Sequence, residues 1–155
     1  ITVGPDTINW SVGGINETMN NATLTTYGET ATDIGGNWSV TGVKGINISN
    51  TGTLNCSLSI QTGKNVSDWW GPSAVNPQNY SINVTNKEAN SCSGGAFVLG
   101  QWYTANKTAM NFCANFSSTG GANEVWLDVK LQVPSDLNIT VRNTLLTDTI
   151  TISCV

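Results

Sequence analysis

From about residue 36 onward the apolar residues of this chain recur at every second position, and that period fixes what it can fold into. Trp38/Val40, Ile46/Ile48, Leu54/Cys56/Leu58/Ile60, Ile82/Val84, Val125/Leu127/Val129/Leu131/Val133, Leu137/Ile139/Val141 and Ile150/Ile152/Cys154 each alternate with polar residues, as half-buried strands do. Gly13-Gly14, Gly35-Gly36, Gly71-Pro72, Gly94-Gly95 and Gly120-Gly121 punctuate them as turns. Ala96 to Tyr103 is apolar on both phases and reads as a strand covered on both sides. Helical periodicity is weak, with a single helical turn expected near Asn143 to Thr147. The expectation is an all-β chain forming a single Ig-like β-sandwich of about seven to nine short strands, with Pro134 at a strand end.

Composition supports a packed domain with a neutral polar surface. In 155 residues, Asn, Thr, Ser and Gly number 20, 21, 14 and 16, while charged residues are 10% and the net charge is −4. Six tryptophans and 39% hydrophobic residues argue for a core rather than disorder. Six scattered cations give no basic footprint for nucleic acid. With no histidine, the usual Ser-His and Cys-His nucleophiles and His-ligated zinc are excluded, and no cofactor motif occurs. No run of 18 apolar residues would span a bilayer as a helix. The ten acids are dispersed, and Asp128 falls on the polar phase of its strand, so they read as solvated surface groups and the chain as non-enzymatic.

N-x-S/T sequons stand at, among others, Asn16, Asn21, Asn37, Asn47, Asn55, Asn65, Asn79, Asn83, Asn106, Asn115 and Asn138. In nine of these the middle residue is apolar, so on a strand a glycan on the Asn would point out while its neighbour packs in. Four cysteines beside such sequons imply an oxidising compartment and two disulfides. Cys56 and Cys154 share the apolar phases of their strands and are expected to pair in the core. Cys113 is out of phase with Met110/Phe112/Phe116 and is expected to pair on the polar side with Cys92. The sequence starts at Ile1 with no basic and apolar leader, so a mature secreted product is expected.

Residues 1–14 stand apart from the body at 15–155. They hold an alternating apolar segment, Ile8/Trp10/Val12, ending at Gly13-Gly14 as a hinge. Such a segment suits β-strand addition, in which one copy's strand completes the next copy's sheet and the contact propagates head-to-tail. It suits equally the first strand of a monomeric sandwich. Trp69-Trp70, before Gly71-Pro72 on an expected loop, offers a different reading: a sugar-stacking pair in a secreted carbohydrate-binding module or a viral surface glycoprotein. Trp126, out of phase with Val125 and Leu127, is expected to face outward.

Abundant sequons, low charge, absent histidine, the Gly-hinged N-terminal segment and the ending WLDVKLQVPSDLNITV…TDTITISCV together resemble the secreted subunits of archaeal extracellular filaments, the thread-type filament and the bundling pili. The specific part of the resemblance is residues 125–155. It implies a cell-surface homopolymer of identical glycosylated β-sandwiches joined by donor-strand complementation, for adhesion or biofilm cohesion. Residues 1–12 would be the donor, inserting Ile8, Trp10 and Val12 with Val3 joining them. Pro5-Asp6 departs from the pattern by interrupting the alternation. A surface of amides, hydroxyls and sugars keeps its hydrogen bonds at about pH 2 to 3, where carboxylates (ordinary pKa about 4) protonate.

Overall fold

The computed structural model describes residues 1–70, 79–137 and 146–155. The chain folds as two packed antiparallel sheets, an all-β sandwich. The organising element is β10 (Glu124–Pro134), whose Val125, Leu127, Val129, Leu131 and Val133 are all buried as the alternation requires. One edge of β10 pairs with β6 (Asn79–Asn86) from Val125 to Gln132. Its other edge is shared: Glu124–Leu127 pairs with β4 (Ile46–Ser49), and Lys130–Pro134 pairs with β2 (Asn21–Tyr27). Beyond these lie β1 (Thr2–Gly4) on β4, β3 (Thr30–Ile34) on β2, and β8 (Tyr103–Thr104) on β6.

The second sheet runs β11 (Ile150–Cys154), β5 (Cys56–Thr62), β9 (Met110–Phe116), β7 (Cys92–Ser93). Leu58 and Ile60 of β5 meet Ile48, Ile82 and Val84 of the first sheet in one core. Truncating a fully buried member such as Leu127 or Leu58 would cost roughly 2–5 kcal/mol.

Both cysteine pairs close as Cys56–Cys154 and Cys92–Cys113, each with Cα atoms 5.5 Å apart. Their surroundings are the reverse of the expectation. Cys113 is fully buried while Cys56 and Cys154 are half-exposed. The cause is an irregular β5–β9 register, in which Cys56 faces Phe116 but Leu58 faces Cys113 and Ser59 faces Asn111. The extra β9 residues turn Cys113 inward and Ala114 outward, as a bulge does.

Other expectations also fail locally. Trp38 and Val40 lie outside any strand, and Leu54 is 78% exposed ahead of β5. Ala96 to Leu99 forms no strand. Instead Phe97 stacks on Phe112 at 5.1 Å and meets Tyr103 edge-on at 4.8 Å, an aromatic cluster that mimics a covered strand in composition. Trp69 and Trp70, expected on a loop, instead end the short helix α1 (Val66–Trp70). Asn65 caps it: its Oδ1 accepts the Asp68 N–H at 3.2 Å while Asp68 Oδ2 accepts the Asn65 N–H at 2.8 Å. The helical turn expected near 143–147 lies mainly outside the described residues.

Asp128 corrects the reading of the acids as solvated. It is 4% exposed, and its Oδ1 accepts the Gly28 N–H at 2.7 Å and the Thr26 hydroxyl at 3.0 Å. Its polar phase is covered rather than wet, because the Gly28 turn and Gly45 fold over it; a Cβ on Gly45 would meet Asp128 Oδ1 at once.

Candidate groove between the sheets

Among the described residues the sandwich is open along one side. Between the β10 face and β11 lies a groove of about 1630 Å³, well above the roughly 300–1,000 Å³ of small-molecule pockets. Leu24, Val129 and Leu131 form one wall, Ile150 and Ile152 the other. These isoleucines alternate with exposed Thr151 and Ser153, so β11 presents one half-buried apolar face to the groove. β11 pairs with β5 alone, and its second edge has no strand partner among the described residues.

The helix α1 closes one end. Trp70 is 3% exposed and Trp69 packs on it at 5.7 Å and on the Tyr80 ring at 5.5 Å. The pair therefore builds the groove rather than an outward sugar platform. Lys64 sits 4.8 Å over the Trp69 ring. The Tyr80 hydroxyl donates to Asp148 Oδ2 at 2.9 Å, and burial followed by the Asp148 charge pushes its pKa above the ordinary tyrosine range. The Asn65 N–H and Lys107 hold the exposed Asp68 carboxyl below its ordinary value.

The N-terminal segment lies across this groove. Ile8 and Trp10 are half-buried against the core. Val12 is 91% exposed, and Val3 is 40% exposed in β1, opposite Ile48. Residues 5–13 make no backbone–backbone hydrogen bond to the described residues. The segment is anchored at both ends, by β1 on β4 and by a root at Gly14–Asn16. There the Asn37 N–H donates to Gly14 O and the Asn16 N–H to Gly35 O, both at 3.0 Å. Gly13 and Gly36 pack on the Trp38 indole so closely that a Cβ on either would lie within about 2.6 Å of it. Gly13 thus has a packing role at this root.

The sequons divide by environment. Asn16, Asn37, Asn55, Asn106 and Asn115 are exposed, as is Asn9 of a further sequon, Asn9-Trp10-Ser11, in the N-terminal segment; Asn21, Asn47, Asn65 and Asn79 are half-buried; Asn138 lies outside the described residues. Asn83 is 7% exposed, so a glycan there requires the outer face of the first sheet to open. Trp126 does lie on that outer face, half-buried, with Lys87 Nζ 5.0 Å from its ring. Beside it, Glu124 receives Lys87 Nζ at 2.7 Å and the Ser49 hydroxyl at 2.7 Å, which with the Asn47 amide bring its carboxyl down to about 2.

Sequence reasoning missed the groove, since no local pattern says which sheet edge stays open. Among the described residues there is no cluster of three potential metal ligands, and no helix is long and apolar enough to cross a membrane. Comparison of the chain with protein-family models, curated proteins and solved structures gives no match.

Proposed function

We propose that the protein is a secreted, N-glycosylated, non-enzymatic structural subunit that polymerises head-to-tail into an extracellular filament by donor-strand complementation. The observation that carries this reading is the pairing of an apolar groove with a strand edge on β11 that has no partner among the described residues, beside a leading segment that covers the groove without a backbone–backbone hydrogen bond to them. A donor strand needs an apolar slot for alternate side chains and a free ladder for its backbone, and among the described residues the two lie together. Within one chain, Ile8 and Trp10 fill part of the slot while the backbone of residues 5–13 leaves the ladder unused. The same segment from a neighbouring copy, released from its own β4 and groove while still joined at its root, can take up both. Each copy then gives one strand and receives one, a heterologous contact that does not close on itself. The two disulfides fit export to an oxidising compartment.

Crosslinking tests this directly. A chain carrying Trp10→Cys is mixed with one carrying Ile150→Cys and oxidised. Filament assembly by strand donation gives covalent heterodimers, and the double variant gives a ladder of multimers. Crosslinks confined within single double-variant chains, at concentrations where fibres are sought, would reject the reading. Removal of residues 1–12 is expected to leave dispersed subunits that form no fibres in electron micrographs.

A further inference from the structure

The outer face of the first sheet carries a second, smaller feature that neither the groove nor the strand donation uses. The ladder register places Thr23, Gln132 and Asn79 in one row across β2, β10 and β6, with Lys130 two residues along β10 on the same face. These four side chains line a polar pocket of about 220 Å³. At about 30 Å³ per water that is roughly seven waters, space for one pyranose ring. Asn79 begins the sequon Asn79-Tyr80-Ser81, and the Ser81 hydroxyl donates to Asn79 Oδ1, which fixes the plane of the amide. Lys130 is also held in place: its Nζ lies 4.6 Å over the Trp102 ring, and Tyr27, 53% exposed, meets that ring edge-on at 6.3 Å.

We infer that this pocket is the seat of a glycan attached at Asn79, whose first sugar lies between Thr23, Lys130 and Gln132. The inference rests on the glycoprotein reading above and gives one sequon a defined structure. An amide, a hydroxyl and an ammonium pre-positioned by a π-face are the donors and acceptors that pyranose hydroxyls require. A pocket of one ring's size with so little apolar lining holds a free sugar weakly. Attachment to its own wall makes the contact intramolecular, at an effective concentration of order millimolar or more. Three other sequons are placed differently. The Asn55 amide is engaged by Asn115 and Ser118, Asn106 Oδ1 accepts the Thr108 N–H at an exposed turn, and Asn83 is buried.

The test uses the full chain secreted from a eukaryotic host that attaches oligomannose glycans, with occupancy read by glycopeptide mass spectrometry. In the folded protein an endoglycosidase should trim the Asn79 glycan roughly tenfold more slowly than the Asn106 glycan, equivalent to about 1.4 kcal/mol of protection. Unfolding the protein, or Lys130→Ala, should bring the two rates together. Equal rates in the folded protein, or an unoccupied Asn79 beside an occupied Asn106, would overturn the inference. So would chemical-shift changes at Trp102 and Gln132 when free oligomannose is added to the Ser81→Ala chain at micromolar concentration, since the site would then read free sugar. Because the measurement is made on dispersed subunits, a bare Asn79 in a chain that still forms fibres removes this inference alone.

Discussion

Asp128 Oδ1 accepts the backbone N–H of Gly28 at 2.7 Å across the β2–β10 boundary, and the carboxylate that does so is almost wholly removed from solvent. Burial is the largest influence on it and raises its pKa above the ordinary 3.8, against the opposing pull of the Gly28 and Thr26 hydrogen bonds. A carboxyl with a raised folded-state pKa is bound more tightly to its proton in the folded chain than in the unfolded one. Its contribution is therefore fully present below pH 3.8 and is lost as pH rises through the folded-state value. Asp128→Asn, whose Oδ1 can accept the same two bonds, should raise the thermal midpoint at pH 7 and leave it nearly unchanged at pH 3. A larger loss at pH 7 than at pH 3, measured by calorimetry, would contradict this account.

Glu124 behaves in the opposite sense. Lys87, Ser49 and Asn47 lower its pKa from 4.5 to about 2, so its stabilising contribution is present above pH 4.5 and disappears as pH falls toward 2. Glu124→Gln should lower the midpoint at neutral pH and converge with the parent chain near pH 2. Because the Lys87 contact is partly exposed, 0.5 M salt should shrink the difference at neutral pH.

The disulfides close loops of different length, with partners 98 and 21 residues apart. Chain-entropy arithmetic gives about 4.7 kcal/mol for the longer loop and about 3.4 kcal/mol for the shorter. The paired substitution of Cys56 and Cys154 by Ser should therefore lower the denaturation free energy by about 1 kcal/mol more than that of Cys92 and Cys113. Urea unfolding of the two double variants measures the difference.

What the sequence disclosed, and where it stopped, follows from the range of the interactions involved. β10, β6 and β11 were legible because each turns its apolar residues to the core side at every second position, and period two records that choice residue by residue. The disulfide partners were also legible, although Cys113 faces the core because two irregularities in the β5–β9 ladder turn it there, and no local pattern announces those. Asn65-x-x-Asp68 was a readable capping signal that the neighbouring glycine and proline obscured. Asp128 misled because alternation reports which face a residue takes and says nothing of what later folds over that face. The groove was illegible for a similar reason: it is a gap between strands far apart in sequence, and its walls look like any other alternating segment.

Both covalent ties lie within the sheet that contains β11, and neither crosses to the sheet built on β10. The two jaws of the groove are therefore unequal. One is laced along its width, from β11 to β5 and from β9 to β7, while apart from the chain connections it meets the other through apolar contact and hydrogen bonds such as Tyr80 to Asp148. Spreading the jaws would break no covalent bond, only apolar contacts and hydrogen bonds such as Tyr80 to Asp148, which is the compliance that the strand donation proposed above requires of the slot.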